Sequence, residues 1–284
     1  MKTKRLLPLI IVAVVLVIVA IILFAGRAKK TSTATTTPVT GMKLLVNELA
    51  MSQRPFLLLV PHSTGRIFTF VAINADKSKG ATLDLEYTSG DLLKGARATL
   101  ESPITNPFVK AIILGSCSTG GKCSFDTDLK SGTMKLSLDL GDASVSNVLK
   151  EDFTFVTGQN NLPDGKVIFT PSKATVKENL ILLDSSGLPK QTDKDIVLYP
   201  IVFTSADNKN IAGTLTINQT GVTSAAIYDG SAYQPLKYTE NNGVLTFTLN
   251  NQPWSMTANI TRDDLAGASE SDTFYILGPI VLYK

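Results

Sequence analysis

Histidine is nearly missing from this chain: His62 is the only one in 284 residues. A Ser-His-Asp hydrolase or an imidazole-bound metal would have to use that single side chain. Cysteine is scarce too, with only Cys117 and Cys123. Two thiols fall short of a four-ligand zinc site. The five residues between them, S-T-G-G-K, are not the C-x-x-C of a redox pair. No acidic residue precedes Glu48, and no G-x-S-x-G, P-loop or dinucleotide-binding string occurs. Basic stripes with interleaved aromatics are also lacking, which excludes nucleic acid as a partner. No catalytic, cofactor-binding or metal-ligating set emerges from these residues.

What is present begins with an apolar run. Residues 6–26 carry no charge, and sixteen of the twenty-one are Leu, Ile, Val or Phe. As a helix the run spans about 31 Å, the thickness of a bilayer's hydrocarbon core. Insertion scales give such residues about −0.3 to −0.6 kcal/mol each, or roughly −5 to −10 kcal/mol together. A cleaved signal peptide is shorter and ends in a small-x-small site, whereas Gly26-Arg27-Ala28 carries an Arg. The run reads as an uncleaved anchor, so the membrane is one partner. Lys2, Lys4 and Arg5 on one side nearly balance Arg27, Lys29 and Lys30 on the other. The Thr-rich TSTATTTPVTG stretch after it reads as a stalk, which places the body outside and residues 1–5 in the cytoplasm.

The chain has 27 basic and 24 acidic residues. Six of the basic ones lie in residues 1–41, so the body from Met42 onward is slightly acidic. Its dominant pattern is a period of two. Leu83, Leu85 and Tyr87 alternate with Asp84 and Glu86. Met134, Leu136 and Leu138 alternate with Lys135 and Ser137, and Leu245, Phe247 and Leu249 with Thr246 and Thr248. Such alternation predicts half-buried antiparallel strands. Asp229-Gly230 and Asn242-Gly243 predict hairpins, because both pairs accept positive φ. A strand is expected over 195–204, and Pro200 interrupts its stretch from Ile196 to Phe203, which predicts an edge, a kink or a change of sheet. Only Met42–Ser52 has helical spacing.

The fold class that follows is all-β: an N-terminal transmembrane helix and two immunoglobulin-like antiparallel β-sandwich domains. The boundaries are a tail at 1–5, the helix at 6–26, and a stalk with a short helix at 27–53. The first sandwich covers 54–157, a linker rich in turn formers 158–165, and the second sandwich 166–284. One larger sandwich is the alternative.

Cys117 and Cys123 flank a Gly-Gly turn, and a hairpin there brings their Cβ atoms within bridging distance. Closing that seven-residue loop stabilises by at most about 2.4 kcal/mol in the chain-entropy model. Three other constellations compete with bland readings. His62 precedes Cys117 by 55 residues, the chain order of sortase transpeptidases, yet Leu-Gly-Ser stands where those enzymes have Thr-Leu-x-Thr, and no Arg follows before Arg262. The pairs Asp126 and Asp128, Asp207 and Asn210, and Asp263 and Asp264 offer calcium-type oxygens, but none forms a D-x-D-x-D-G loop. Tyr228, Tyr233 and Trp254 form either a sugar platform or part of a core.

The strings ATLDLEYTSGDLLKGA (81–96), IILGSCSTGGKC (112–123) and SGTMKLSL (131–138) resemble a cysteine-hairpin β-sandwich domain. That domain belongs to single-anchor surface proteins of candidate-phyla-type bacteria. The resemblance covers residues 54–157 and implies architecture without an activity. DLEYTSGDLL is also similar to one cohesin strand and its loop, too short a match to carry a partner. The expected role is a non-catalytic, structural or adhesive protein that holds a binding surface for a protein or glycan at the cell envelope. A subunit of an envelope or secretion assembly is the alternative, and a sortase-like enzyme the remote one.

Overall fold

A computed structural model describes residues 42–118, 122–158, 160–173, 180–265 and 267–284. The proposed anchor at 6–26, the tail at 1–5 and the Thr-rich stretch through Gly41 lie outside the described residues. Among the described residues, no helix is long and apolar enough to cross a membrane.

The described chain is all-β. Its strands are β1 (Lys43–Val46), β2 (Phe56–Pro61), β3 (Ile67–Ile73), β4 (Gly80–Ser89), β5 (Leu92–Leu100), β6 (Phe108–Ile113), β7 (Gly115–Cys117), β8 (Cys123–Phe125), β9 (Leu129–Asp139) and β10 (Val145–Phe155). There follow β11 (Asn160–Asn161), β12 (Val167–Pro171), β13 (Leu180–Asp184), β14 (Ile201–Ser205), β15 (Ile211–Asn218), β16 (Ser224–Tyr228), β17 (Tyr233–Pro235), β18 (Thr239–Asn241), β19 (Val244–Asn251), β20 (Trp254–Arg262) and β21 (Ala268–Tyr283). Every pairing is antiparallel except that of β1 with β10. A long sheet runs β17-β16-β21-β14-β13-β10-β9-β4-β5, with β1 on β10 and β20 on β21. Two smaller sheets, β2-β3-β6 and β11-β12-β15-β19-β18, pack against it.

Alternation decides which side chains face in. In β4 and β9, Ala81, Leu83 and Leu85 sit directly opposite Leu138, Leu136 and Met134, and all six are buried. Each such cross-strand pair is worth roughly 0.2–1 kcal/mol. On the other face Asp84 stands opposite both Arg97 and Lys135. The Asn242-Gly243 turn joins β18 and β19 with both residues at positive φ, 51° and 77°, the backbone that a two-residue hairpin turn requires.

Strands β13 and β14 depart from alternation. LILLD and IVFTS are buried on both faces, the pattern of strands covered on two sides. Ile181, Leu183 and Val202 join a core built from β2, β3, β4 and β9. Leu180, Leu182, Ile201 and Phe203 join a second core with β12, β15 and β19. Strand β21 serves both cores, with Phe274 and Ile276 in the first and Leu277, Ile280 and Leu282 in the second. Residues 42–284 therefore cluster as one compact unit.

Three local expectations are corrected. Met42–Ser52 is not a helix: Lys43–Val46 pairs with β10 and only Met51–Gln53 makes a 3₁₀ turn. Asn47 stands between them at φ 54°, where a right-handed helix cannot continue. Its side chain instead hydrogen-bonds the backbone of Lys150 through both amide groups. The segment 158–165 is not plain linker, since Asn160–Asn161 pairs with β12 and Leu162 is buried. Near Pro200 the expected ten-residue strand shrinks to Ile201–Ser205, which lies inside the long sheet between β13 and β21. Pro200, without an N–H, lies just before the ladder and accepts from Ser185 N–H through its carbonyl.

Candidate functional site

Cys117 and Cys123 face each other across the β7–β8 pair and form a disulfide, with Cα atoms 4.0 Å apart. Gly115 starts the hairpin at φ 142°, and a Cβ there would lie 2.0 Å from the Ser124 carbonyl oxygen, so a larger residue would break the pairing. The hairpin base is fastened by Arg66 over the Phe125 ring at 4.7 Å. Asp126 accepts from the Tyr87 hydroxyl at 2.7 Å and lies 3.3 Å from Lys94 Nζ. Burial and the Asp126 carboxylate both hold the Tyr87 hydroxyl well above its ordinary range.

His62 occupies a turn between β2 and β3. Its Nδ1 accepts from Thr64 N–H at 3.2 Å and contacts Thr64 Oγ1 at 2.9 Å. Nε2 lies 3.5 Å from Glu270 Oε1, and Glu270 also binds Arg262 Nη1 at 2.9 Å. Arg262 grips Asp264 through Nε and Nη2 at 3.1 and 2.8 Å, a bidentate fork that holds the Asp264 carboxyl below its usual range. The one histidine and the last arginine thus share the Glu270 carboxylate, a juxtaposition the sequence spacing did not suggest. Cys117, the partner that a sortase would supply, has its sulfur bonded to Cys123.

One member of each oxygen pair weighed for calcium is engaged locally. Asp126 serves Tyr87 and Lys94, Asp207 pairs with Lys209 at 2.7 Å, and Asp264 serves Arg262. Among the described residues no group of three or more acidic, His or Cys side chains is placed to hold a metal ion.

Tyr228, Tyr233 and Trp254 do come together. Tyr228 packs on Tyr233 at 5.2 Å and edge-on against Trp254 at 5.8 Å. The interplanar angles of 55° and 87° make a wedge rather than a flat stacking surface. Trp254 Nε1–H donates to the Gly278 carbonyl and the Tyr233 hydroxyl to the Lys190 carbonyl, so both polar handles are used. Asp229 caps the adjoining turn, taking hydrogen bonds from Ser231, Ala232 and Gln234 that hold it well below the usual carboxylate range.

A groove of about 500 Å³ was not anticipated. Asp152, Asp184 and Asp164 line it together with Lys150, Lys166, Arg54 and Tyr199. Asp184 accepts from Asp152 N–H. Burial, aided by the charges of Asp152 and Asp164, pushes its carboxyl up to about 7. Beneath, Glu151 is 1% exposed. One of its oxygens accepts from Ser186 N–H at 2.6 Å and from Ser186 Oγ at 2.7 Å, and the other has no partner. Desolvation drives its pKa far above the ordinary carboxylate range. The nearby Arg54 guanidinium is occupied by the carbonyls of Leu49, Asn47 and Ser186. One signal in the sequence marks this site: alternation in NVLKEDFTF puts Glu151 on the same face as Leu149 and Phe153. The groove holds charge and hydrogen-bonding groups, with Lys150 Nζ 3.5 Å from Asp152 Oδ1.

No protein-family model and no curated protein sequence matches the chain.

Proposed function

We propose that this is a membrane-anchored, extracytoplasmic, non-catalytic protein with a structural or adhesive binding role. The observation that carries the reading is the Cys117–Cys123 disulfide in a body that follows a 21-residue uncharged run. Disulfides persist in oxidising, exported compartments, and the run is long enough to hold the chain in a bilayer. In this reading residues 6–26 form the anchor, the N-terminus is cytoplasmic, and two immunoglobulin-like sandwiches stand outside, one per core, fused through the long sheet. The resemblance of residues 54–157 to cysteine-hairpin surface domains supports the same address. The ligand is a protein or glycan of the envelope. A sortase-like activity loses its support, because both cysteines that follow His62 are spent in one disulfide.

Protease shaving of intact cells, followed by mass mapping without reductant, tests this reading. Peptides from 42–284 should be released, with Cys117 and Cys123 still linked. Recovery of a freely soluble full-length chain, or of reduced cysteines, would overturn it.

A second reading, a subunit of an envelope assembly, is favoured by one observation. Strand β5 ends the long sheet, and pairs with β4 alone among the described strands.

A further inference from the structure

The sheets of this molecule end in unequal edges. Strand β17, at one end of the long sheet, has three residues and finishes on Pro235, which has no N–H to offer. The small sheet ends in β11 and β18, of two and three residues. Short, proline-bearing edges resist pairing with foreign strands. Strands β2, β6 and β20 also pair with one strand each, but β20 packs against β6 and β2 against β13 and β14; β5 is the longest edge at the end of a sheet. It runs for nine residues, LLKGARATL, and among the described residues nothing pairs with its outer edge. At its start Leu92 and Leu93 are 62% and 75% exposed.

From this edge we infer that a second copy of the chain is the partner of β5, joined antiparallel about a two-fold axis at Ala96. The inference deepens the assembly reading above. It rests on that reading only for the use of the edge, and not on the anchor.

Self-pairing centred on Ala96 overlaps all nine residues. It sets Leu92 opposite Leu100 of the second copy, Leu93 opposite Thr99, Lys94 opposite Ala98 and Gly95 opposite Arg97. Every long side chain except Leu92 meets a shorter one, and the two exposed leucines gain apolar or methyl neighbours. Charge favours the same register. The strand carries two cations, Lys94 and Arg97, and no anion. At this register neither cation faces a cation, whereas like charges placed directly opposite destabilise a ladder.

Parity fits as well. Lys94, Ala96, Ala98 and Leu100 lie on the core-facing side, and Leu93, Gly95, Arg97 and Thr99 on the exposed side. Opposite residues in an antiparallel pair share a face. Pairing Gly95 with Arg97 therefore carries the polar face of one copy smoothly into the polar face of the other, and a one-residue slip would invert it. Gly95 leaves a depression bordered by Glu86, Arg97 and Lys135 into which the opposing Arg97 can lie.

The test uses the full chain in detergent micelles and in membranes. Sedimentation should show a dimer. Gly95→Lys should weaken it about tenfold, because two symmetric Lys–Arg oppositions arise. Folding should survive: Glu86 stands directly across within the chain, and a Cβ at position 95 meets only the Leu85 carbonyl oxygen, at 3.2 Å. Gly95→Gln, which adds a side chain of similar length without a charge, should keep the dimer. Register is read with a short bismaleimide, to which the bridged native cysteines are inert. Ala96→Cys should cross-link to itself. Thr99→Cys, about 20 Å from its own copy at this register, should not. A monomeric wild-type chain overturns the inference. So does a dimer that both Gly95 variants keep or both lose, or one that links through Thr99→Cys and not Ala96→Cys.

Discussion

The core beneath β2, β3 and β4 and the core beneath β12, β15 and β19 press on opposite faces of the same two strands. The first is rich in aromatic contacts: Phe68 stacks on Phe155 at 5.1 Å, and Phe153 meets both edge-on at 6.5 and 6.0 Å. The second is knitted by a closer pair, Phe169 and Phe203, at 4.7 Å. Leu182 and Leu183 are adjacent in sequence, yet one belongs to each core. Because β13 and β14 cannot leave one core without leaving the other, the two halves should unfold together.

The strongest way to break that expectation is to damage one core and watch the other. Phe203→Ala empties a fully buried site in the second core and should cost about 3–5 kcal/mol. Trp254, the only tryptophan, packs against the first core. Its fluorescence should therefore report the same denaturation midpoint as far-UV circular dichroism in this variant. A fluorescence midpoint left at the wild-type value would show the cores to be separable.

The junction between the halves offers the next largest effect, through pH. Asp184 has its carboxyl raised from 3.8 to about 7. The folded state therefore holds this proton more tightly than the unfolded chain. Its contribution to stability is full below pH 4 and is lost as the pH climbs from about 4 to about 7, up to roughly 4 kcal/mol over that window. Glu151 and Asp272 are raised by burial and act in the same direction. Melting temperature should fall between pH 4.5 and pH 8, and Asp184→Asn should flatten the slope. An unchanged slope would mean that Asp184 is solvated in solution.

How much of this was legible beforehand follows from which faces are covered. A strand with one wet face writes its orientation into the sequence, as Leu83-Asp84-Leu85-Glu86 does. LILLD and IVFTS have no wet face, so they reveal burial but not which core each side chain enters. That ambiguity also hides how far the two cores share a sheet, which the turn-rich segment at 158–165 does not disclose. The disulfide was readable, because a Gly-Gly hairpin keeps its two cysteines local. The groove was not, because Asn47, Asp152, Asp164 and Asp184 converge from separate segments whose pairing only the register sets. The meeting of His62 with Glu270 spans most of the body and is invisible to spacing for the same reason.

Within the first half, the cystine sharpens the contrast between a local clasp and the shared sheet. Replacing Cys117 and Cys123 by serine should lower stability by at most about 2.4 kcal/mol, the closure of a short loop. Among the described strands β7 and β8 pair only with each other, so the variant should lose exchange protection at Ser116 and Ser124 before it does at Leu182. Simultaneous loss would place the hairpin inside the cooperative unit.

The smallest effect separates the two faces of a single strand. Lys135 reaches Glu86 across the polar face of β4 and β9, at 3.6 Å between two well-exposed side chains. Water screens such a pair, and holding two long side chains in register costs conformational freedom, so Lys135→Ala should change stability by less than about 0.5 kcal/mol. Its neighbour Leu136 is fully buried against Leu83. A loss above 1 kcal/mol on chemical denaturation of Lys135→Ala would show that the outer face is covered in solution. Raising the salt concentration tells the two cases apart, since an exposed pair weakens with salt and a covered one does not.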